Sequence, residues 1–561
     1  MTVKTLTRLA MAFALASGPT SSAAQRITEA RIQELIRTAA QRAGVGADAR
    51  AQGQAAGAPV ATGGERPTLA LTLDEAIKLA LDRNLDIAVQ RLNPQTFDFA
   101  LAGLQAAYRP TLTSAFGQQS NTNPSQQTLS GAPVGTGIEN LTTSWNGGLS
   151  QNVAWGGGSL AVNINNDRRS TTSQTALFNP VYSPNWSASY TQPLMRGFRV
   201  DNNRQQLVVT SLNQDISEIQ LQATIINTIS NVRNAYWDYV FAIQSVEVTR
   251  RSVTLAEQLV KDNQTRVEIG TMAPIDVVQA QAQAATQHQN LAVAEGTRRT
   301  AELVLKRLIV SGTQDSNWNA TVDPTDRPDF NPEPVDAQGA VRRALESRTD
   351  LLQARKSLQV NDTTLKFLRN QTLPQADVVA RYGLIGQGGT QIISSGTGIN
   401  RVEVGQVPGG YGDALSTLFG HNYPTWNVSL NVSYPIGGSA QEASLARARV
   451  QIQQVEAQLR QIELQIATDV TNAAIQVENN VERVQAAQAA REFAQRQLEA
   501  EQSKFEVGMS TNYFVVQAQR DLATAQNSEL QAVLAYRRSL VELERLQQTT
   551  LQSSNITILG R

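Results

Sequence analysis

Residues 504–519 read KFEVGMSTNYFVVQAQ, and residues 266–281 read RVEIGTMAPIDVVQAQ. Each opens with a basic residue, an apolar one, Glu, a β-branched apolar residue and Gly, and each closes on Val-Val-Gln-Ala-Gln at the same distance from that Gly. The stretches before them, 201–268 and 440–506, contain no Pro and are rich in Gln, Ala, Glu, Leu and Arg. This composition predicts helices of about 67 residues, and at ~1.5 Å per residue each extends roughly 100 Å. A second helical stretch follows each motif, about 273–311 and 511–548. Gly270 and Gly508 fall where the chain must reverse, and glycine accepts the positive φ that such a reversal uses. The twin motif is therefore read as the bend of a long antiparallel helical hairpin, made twice.

The spacing inside the helices adds detail. Ile462, Ile466, Val470, Ala473, Val477, Val481 and Val484 recur at steps of 4, 4, 3, 4, 4 and 3. That is an eleven-residue repeat, which favours nearly straight or slightly right-handed helices over a left-handed two-stranded coil. The flanks carry Ala and Gln, which suits a palisade of helices around water; a solid coiled-coil rod is the other reading.

The doubling reaches beyond the bends. Ala76 in DEAIKLALDRNLDIAVQ aligns with Ala340 in QGAVRRALESRTDLLQA, Leu81 with Leu345, Asp86 with Asp350, and Pro110 with Pro374. SASYTQPLMRG (187–197) resembles NVSLNVSYPIGG (427–438), Pro193 matching Pro435. Each copy opens with a helix that ends before Pro110 or its counterpart, and in the first copy Thr72 and Glu75 predict a capping box. The join, 313–335, is rich in Asp, Asn and Pro and reads as an irregular connector.

Between opening helix and hairpin the period changes. In PTWNVSLNVSYPIGG (424–438), Trp426, Val428, Leu430, Val432 and Tyr434 point one way, and Asn427, Ser429, Asn431 and Ser433 the other. Eight residues of strand cover roughly 26 Å, close to the apolar band of an outer-membrane barrel. Trp145 and Trp155 bracket Leu149 and Val153 on one face; Trp186 and Tyr190 bracket Ala188; Tyr382 stands between Ala380 and Leu384. Aromatic residues at the ends of an apolar face, above Asn, Ser and Gly, predict a sheet with one face in lipid and one in water; a soluble sandwich is the competing reading. Residues 120–140, 168–184 and 387–424 are polar and Gly-rich and read as long outer loops, while Gly156-Gly157-Gly158 marks a short turn. Two copies supply too few strands to close a water-filled barrel, and an open sheet edge is not tolerated in lipid. The chain is thus expected to share one barrel with copies of itself.

Composition excludes other classes. The 561 residues hold 48 basic and 48 acidic side chains, which leaves no nucleic-acid footprint, and no cysteine, which removes disulfides, thiolate metal sites and a cysteine nucleophile. His288 and His421 lie in no metal-ligand spacing and read as ordinary polar residues. No acid/base or nucleophile constellation stands out. The glycine clusters lack the Lys-Ser/Thr that a phosphate loop needs. At the N-terminus, Lys4 and Arg8 precede LAMAFALA (9–16) and Ser22-Ala23-Ala24, which predicts a signal peptide over 1–24. No later stretch has 18 consecutive apolar residues.

These features together resemble the TolC-like family of outer-membrane efflux and secretion channels, over about residues 67–548. The carriers are LTLDEAIKLALDRNLDI, AYRPTL, SYTQPLMRG, AYWDYVFA (235–242), RVEIGTMAPIDVVQAQ and their second-half counterparts. The resemblance implies an α+β membrane protein: a homotrimer with one shared outer-membrane β-barrel, a long α-helical barrel reaching into the periplasm, and an internal structural duplication. It implies a periplasmic adaptor (a membrane fusion protein), an inner-membrane pump of the RND or ABC type, outer-membrane lipid, no cofactor and no catalysis. The expected function is the exit duct of a tripartite efflux pump or type I secretion system. A trimeric coiled-coil and β-barrel adhesin, or a structural envelope protein, is the alternative. The expected organisation is signal peptide 1–24, extension and linker 25–66, first repeat 67–312, connector 313–335, second repeat 336–548 and tail 549–561.

The family's hairpin tips fall on Ile269-Gly270-Thr271 and Val507-Gly508-Met509, which the resemblance makes adaptor contacts; a turn serving chain reversal alone is the other reading. The family's acidic gate residue on the first hairpin matches Asp276, which alternatively caps its helix. The second-hairpin acids are replaced by Phe514 and Gln517, and the basic latch by Ser510. A partly apolar constriction of Tyr513 and Phe514, with Gln517 and Asp276, is expected instead. Trp145, Trp155, Trp186, Tyr190, Tyr382, Trp426 and Tyr434 are the expected membrane-interface aromatics. Last, a hairpin over about 141–168 looks transmembrane by pattern, giving six strands per chain where the family usually has four; both counts stay open.

Overall fold

The computed structural model describes residues 67–124, 137–173, 175–327, 330–332, 334–396 and 402–554. The expected signal peptide, the extension 25–66 and the end of the tail, 555–561, lie outside the described residues. The chain divides into two compact units.

The first unit takes the chain up to Thr96, Asp215–Arg355, and from Ala457 onward. It opens with β1 (Thr68–Leu71), α1 (Leu73–Arg83) and α2 (Leu85–Ala106). Thr72 caps α1 as its spacing from Glu75 predicts: the Glu75 amide donates to Thr72 Oγ1 at 3.2 Å, and the Thr72 amide to Glu75 Oε2 at 3.0 Å. The opening helix does not run unbroken, however. Asn84 interrupts it, and its Oδ1 accepts the amides of Asp86 at 2.9 Å and Ile87 at 3.2 Å, starting α2 afresh. The second half shows the same break, between α6 (Ala337–Ser347) and α7 (Thr349–Gln371), where Arg348 bonds Asp350 at 2.7 Å. Ala76 and Ala340, aligned in the sequence, are both fully buried.

The connector is more ordered than its composition predicts. It holds α5 (Ser316–Asn319) and β6 (Thr321–Pro324), and β6 pairs in parallel with β1, Thr68 opposite Thr321 and Leu71 opposite Pro324. Two buried tyrosines of the AYWDYVFA stretch fasten that pair. Tyr236 donates to Leu71 O at 3.0 Å and lies 2.9 Å from Asp326 Oδ2, and Tyr239 donates to Val322 O at 2.7 Å. Burial raises the Tyr236 hydroxyl well above the ordinary tyrosine range, the neighbouring Asp326 carboxylate adding to the shift.

The long helices are α3 (Asn202–Glu268) and α9 (Ala440–Glu506), 67 residues each; α4 (Pro274–Ile309) and α10 (Asn512–Gln547) have 36 each. The repeat in α9 is its packing stripe. Ile466, Val470, Ala473, Val477 and Val484 are buried with Tyr536, Leu543 and Leu546 of α10, and Ile462 and Val481 pack against them. At ~1.5–3 kcal/mol for each buried large aliphatic side chain, this stripe sets the register of the pair.

The second unit takes Phe97–Gln214 and Lys356–Glu456. Its strands are β2 (Thr111–Pro124), β3 (Gly137–Asn152), β4 (Ser159–Thr171), β5 (Phe178–Pro193), β7 (Gln375–Ile385) and β10 (Pro424–Ser433), in one antiparallel sheet ordered β10-β7-β5-β4-β3-β2. The hairpin β8 (Gly388–Ser395) and β9 (Val402–Val407) joins it through β5. Six strands thus form the continuous path among the described residues, and the hairpin read at about 141–168 is the pair β3–β4.

The pairing fixes the faces. Phe116 lies opposite Trp145, Trp145 opposite Asn166, Ile164 opposite Trp186, Trp186 opposite Leu384, and Tyr382 opposite Trp426. Directly opposed residues share a face, so one face carries Leu112, Phe116, Trp145, Leu149, Leu160, Val162, Ile164, Trp186, Tyr190, Tyr382, Trp426, Val428 and Leu430. The other carries Ser144, Asn146, Asn163, Asn165, Ser187, Ser189, Asn427, Ser429 and Asn431.

Two of the three expected loops are largely structured among the described residues, and the third, 120–140, is strand at both ends, with 125–136 outside the described residues. Within 168–184 only residues 172–177 separate β4 from β5; β2 and β3 take both ends of 120–140; and 387–424 contains β8, β9 and the helix α8 (Tyr411–Phe419). Helix α8 lies on the apolar face. Tyr411 donates to the buried Asn166 Oδ1 at 2.7 Å and meets Trp145 edge-on at 5.4 Å between ring centres. Gly386 and Gly388 allow the approach, because a Cβ at either would fall 2.3–2.4 Å from the Ala414 backbone.

Candidate functional site

The two bends are the same structure twice. In the first, the Gly270 amide donates to Val267 O at 3.0 Å and the Thr271 amide to Arg266 O at 2.9 Å; in the second, Gly508 donates to Phe505 O at 3.2 Å and Met509 to Lys504 O at 2.8 Å. These are the paired bonds of a Schellman helix end, which satisfy the last carbonyls of α3 and α9 and require a left-handed residue. Both glycines have φ of 78°. The chain then turns into α4 through Pro274 and into α10 after Thr511. Ile269 is exposed, as are Val507 and Met509 at 71% and 79%. The structure thus exposes the apolar side chains of Ile269, Val507 and Met509 at the ends of the hairpins.

Residues that sequence reasoning passed over fasten the bends together. Asn263 of α3 is fully buried, and its Nδ2 donates to Oδ1 of the buried Asn512 at 2.9 Å. Asn512 in turn reaches the backbone carbonyl of Asp276 at 3.4 Å. The Arg266 guanidinium stacks 4.2 Å above the Phe505 ring and donates to Phe505 O at 3.2 Å. About two turns further on, Arg520 of α10 donates twice to Gln283 Oε1 of α4. Arg266 and Phe505 stand inside the twin motif, at its first and second positions, so a signal was present. The burial of Asn263 and Asn512 carried none.

The expected gate residues divide. Tyr513 and Phe514 are exposed and meet edge-on at 5.5 Å. Asp276 sits in the first turn of α4, half-buried, favourably placed against the helix dipole. Ala273 holds the N-cap position there. Gln517 donates to Asp521 at 2.9 Å along its own helix. Glu501 accepts from Lys504 at 2.7 Å and from Ser510, which replaces the family's basic latch, at 2.8 Å, and these bonds hold its carboxyl below the usual carboxylate range.

Of the interface aromatics, Trp145, Trp186, Tyr190, Tyr382 and Trp426 stand on the apolar face of the sheet, and Trp186 meets Tyr382 edge-on at 6.1 Å. Trp155 is a correction. β3 ends at Asn152, and Trp155 stands in the following turn, exposed, edge-on to Phe198 at 6.1 Å. It does not share a strand with Trp145, because Gly156 and Gly157, both at φ 68°, already reverse the chain there. Tyr434 likewise lies one residue past β10.

Among the described residues no group of three or more His, Cys, Asp or Glu is gathered for a metal ion, and no helix is long and apolar enough to cross a membrane, which says nothing of a β-barrel.

The family model described as outer membrane efflux protein matches residues 159–310 and 340–547, more than half of the chain. Solved structures share the fold at low identity. The Campylobacter jejuni CmeC outer membrane channel is 14% identical over 87% of this chain and 90% of that one, with a TM-score of 0.60. The Vibrio cholerae outer membrane protein VceC is 14% identical over 85% and 95%, with a TM-score of 0.58. The open state of the Neisseria gonorrhoeae MtrE outer membrane channel is 17% identical over 85% and 88%, with a TM-score of 0.57. Curated protein sequences give no match. Neither the fold nor these relatives support the adhesin alternative. The chain belongs to the outer membrane efflux protein family and has its TolC-like fold.

Proposed function

We propose that this chain is one of three identical subunits of an outer-membrane exit duct, which passively conducts cargo delivered by an inner-membrane pump and a periplasmic adaptor. The observation that carries the reading is the sheet: along the path β10-β7-β5-β4-β3-β2 the tryptophans and most of the large aliphatic side chains fall on one face, and most of the small polar side chains on the other, in register. Such a sheet suits lipid outside and water inside. Its edges, β2 and β10, each pair on one side only among the described residues. In lipid those unpaired groups must be satisfied, and since β2 and β10 run in opposite directions, β10 of one copy can add to β2 of the next. Three copies close one barrel.

The doubled element series, with helices of equal length in each half, supports an internal duplication dividing the chain into repeats at 67–312 and 336–548. In this reading the tip triplets Ile269-Gly270-Thr271 and Val507-Gly508-Met509 meet the adaptor at the periplasmic end. Tyr513 and Phe514, with Gln517 and Asp276, form the constriction. The aromatics of the apolar face mark the membrane boundary. The chain supplies a conduit and a gate and performs no chemistry.

Planar-bilayer recording of the purified protein tests this. Discrete open-channel currents that change on Asp276→Ala support the duct; a water-soluble monomer without affinity for bilayers ends it.

A further inference from the structure

We infer that the β3–β4 hairpin is an inserted pair of wall strands that widens the barrel, so that its backbone wall has about 1.5-fold the radius of one built from three four-stranded sheets and its lumen admits wider solutes. The inference rests on the trimeric duct proposed above. Three features of the sheet carry it. First, β3 and β4 are full members: β3 pairs with β2 along the whole length of β2, and β4 joins β3 to β5. Second, their side chains obey the rule of their neighbours. Leu149, Leu160 and Ile164 lie on the apolar face, and Asn146, Asn163 and Asn165 on the polar one. Third, a buried contact ties the hairpin down, since Asn166 of β4 accepts the Tyr411 hydroxyl and Trp145 of β3 packs on the Tyr411 ring.

An inserted pair is also the change a barrel tolerates. Two added strands keep the alternation of direction, and β2 and β5 place the same face outward with or without them. Removing the hairpin would bring the end of β2 to the start of β5, at one rim of the sheet. A barrel's diameter grows roughly with its strand number. With strands ~4.8 Å apart and tilted ~40°, three six-stranded sheets enclose a backbone radius of ~18 Å, and three four-stranded sheets ~12 Å.

The absence of native cysteine makes the test clean. Ser187→Cys places a thiol on the polar face of β5, in the full chain and in a chain lacking 137–171. Both are reconstituted and treated with maleimide-polyethylene glycols of graded size. The inference expects the largest reacting polymer to be smaller for the shortened chain, by up to ~6 Å in radius, the difference between the two walls. The same cut-off in both overturns it. Should the shortened chain fail to insert, the full chain decides. Asn163→Cys should react with a membrane-impermeant maleimide and Ile164→Cys only with a lipid-soluble one; impermeant labelling of both places the hairpin outside the wall and overturns the inference. If the parent chain neither inserts nor conducts, the duct reading itself falls, and the inference with it; a parent that conducts with an unchanged cut-off sinks the inference alone.

Discussion

Replacing Asn512 by Leu should loosen the paired bends, and replacing its partner as well should tighten them again. Asn263 is 0% exposed and Asn512 3% exposed, joined by one bond of 2.9 Å. The Oδ1 of Asn263 already has no hydrogen-bond partner. Asn512→Leu therefore strands the whole Asn263 amide in the core formed by Leu259, Phe505, Val515 and Ala518. A buried polar group left unpaired costs ~1–3 kcal/mol, so opening of the bends should become roughly 5- to 150-fold more frequent. In the double variant Asn263→Leu/Asn512→Leu neither amide is left behind, only the long 3.4 Å contact to the Asp276 carbonyl is lost on one side, and removing both partners of a buried bond is close to neutral. Hydrogen exchange at the Thr271 and Met509 amides, read by mass spectrometry on protein in nanodiscs, measures that opening. Faster exchange in the single variant and near-native exchange in the double supports the reasoning. A double variant that exchanges as fast as the single, or faster, refutes it.

Other consequences are open to direct measurement. Gly270→Ala and Gly508→Ala meet no neighbouring atom, so each should cost only the left-handed backbone, ~1–2 kcal/mol, seen as faster exchange at its own bend. On β10, Leu430→Arg should lower barrel assembly by ~2–4 kcal/mol while Asn431→Arg, on the opposite face, assembles normally; heat-resistant oligomer on gels distinguishes them. Tyr236 has a raised hydroxyl pKa in the folded chain, so its contribution is fully present below the unfolded value near 10 and is lost as pH rises beyond it. Thermal melts should show Tyr236→Phe less stable at neutral pH and less sensitive to alkali. Glu501 has a lowered one, so the tie it makes with Lys504 and Ser510 is present at neutral pH and lost as acid titrates through that lowered value; Glu501→Gln should remove that acid sensitivity from exchange at the second bend.

The parts legible in the sequence are those set by local periodicity. Helix ends predicted at 268 and 506 are the observed ends of α3 and α9, because the Gly two residues on and the Pro-free run before it are local signals. The capping box at Thr72 and the alternation of 424–433 were readable for the same reason. Residues 168–171 and 178–184 read as loop although they are strand. Arg168, Arg169 and Ser170 extend the hairpin with polar side chains on both faces, so no alternation betrays them. β6 escaped notice because its partner, β1, lies some 250 residues earlier and four residues carry no period of their own. Trp155 matched Trp145 in parity, yet the turn at Gly156 and Gly157 starts before it. The tie between Asn263 and Asn512 was invisible, since a helical Asn looks solvated until its neighbours are in place.

The shared barrel is most directly tested by linking its edges. Single cysteines at Leu112, Ser114 or Phe116 of β2, each combined with one at Trp426, Val428 or Leu430 of β10, are oxidised in native outer membranes and run on denaturing gels. A shared barrel yields, for the combinations in register, a covalent species of three chains that reducing agent returns to one. If every combination gives only single chains, or if crosslinks form within one chain, the sheet does not close between copies and the account fails.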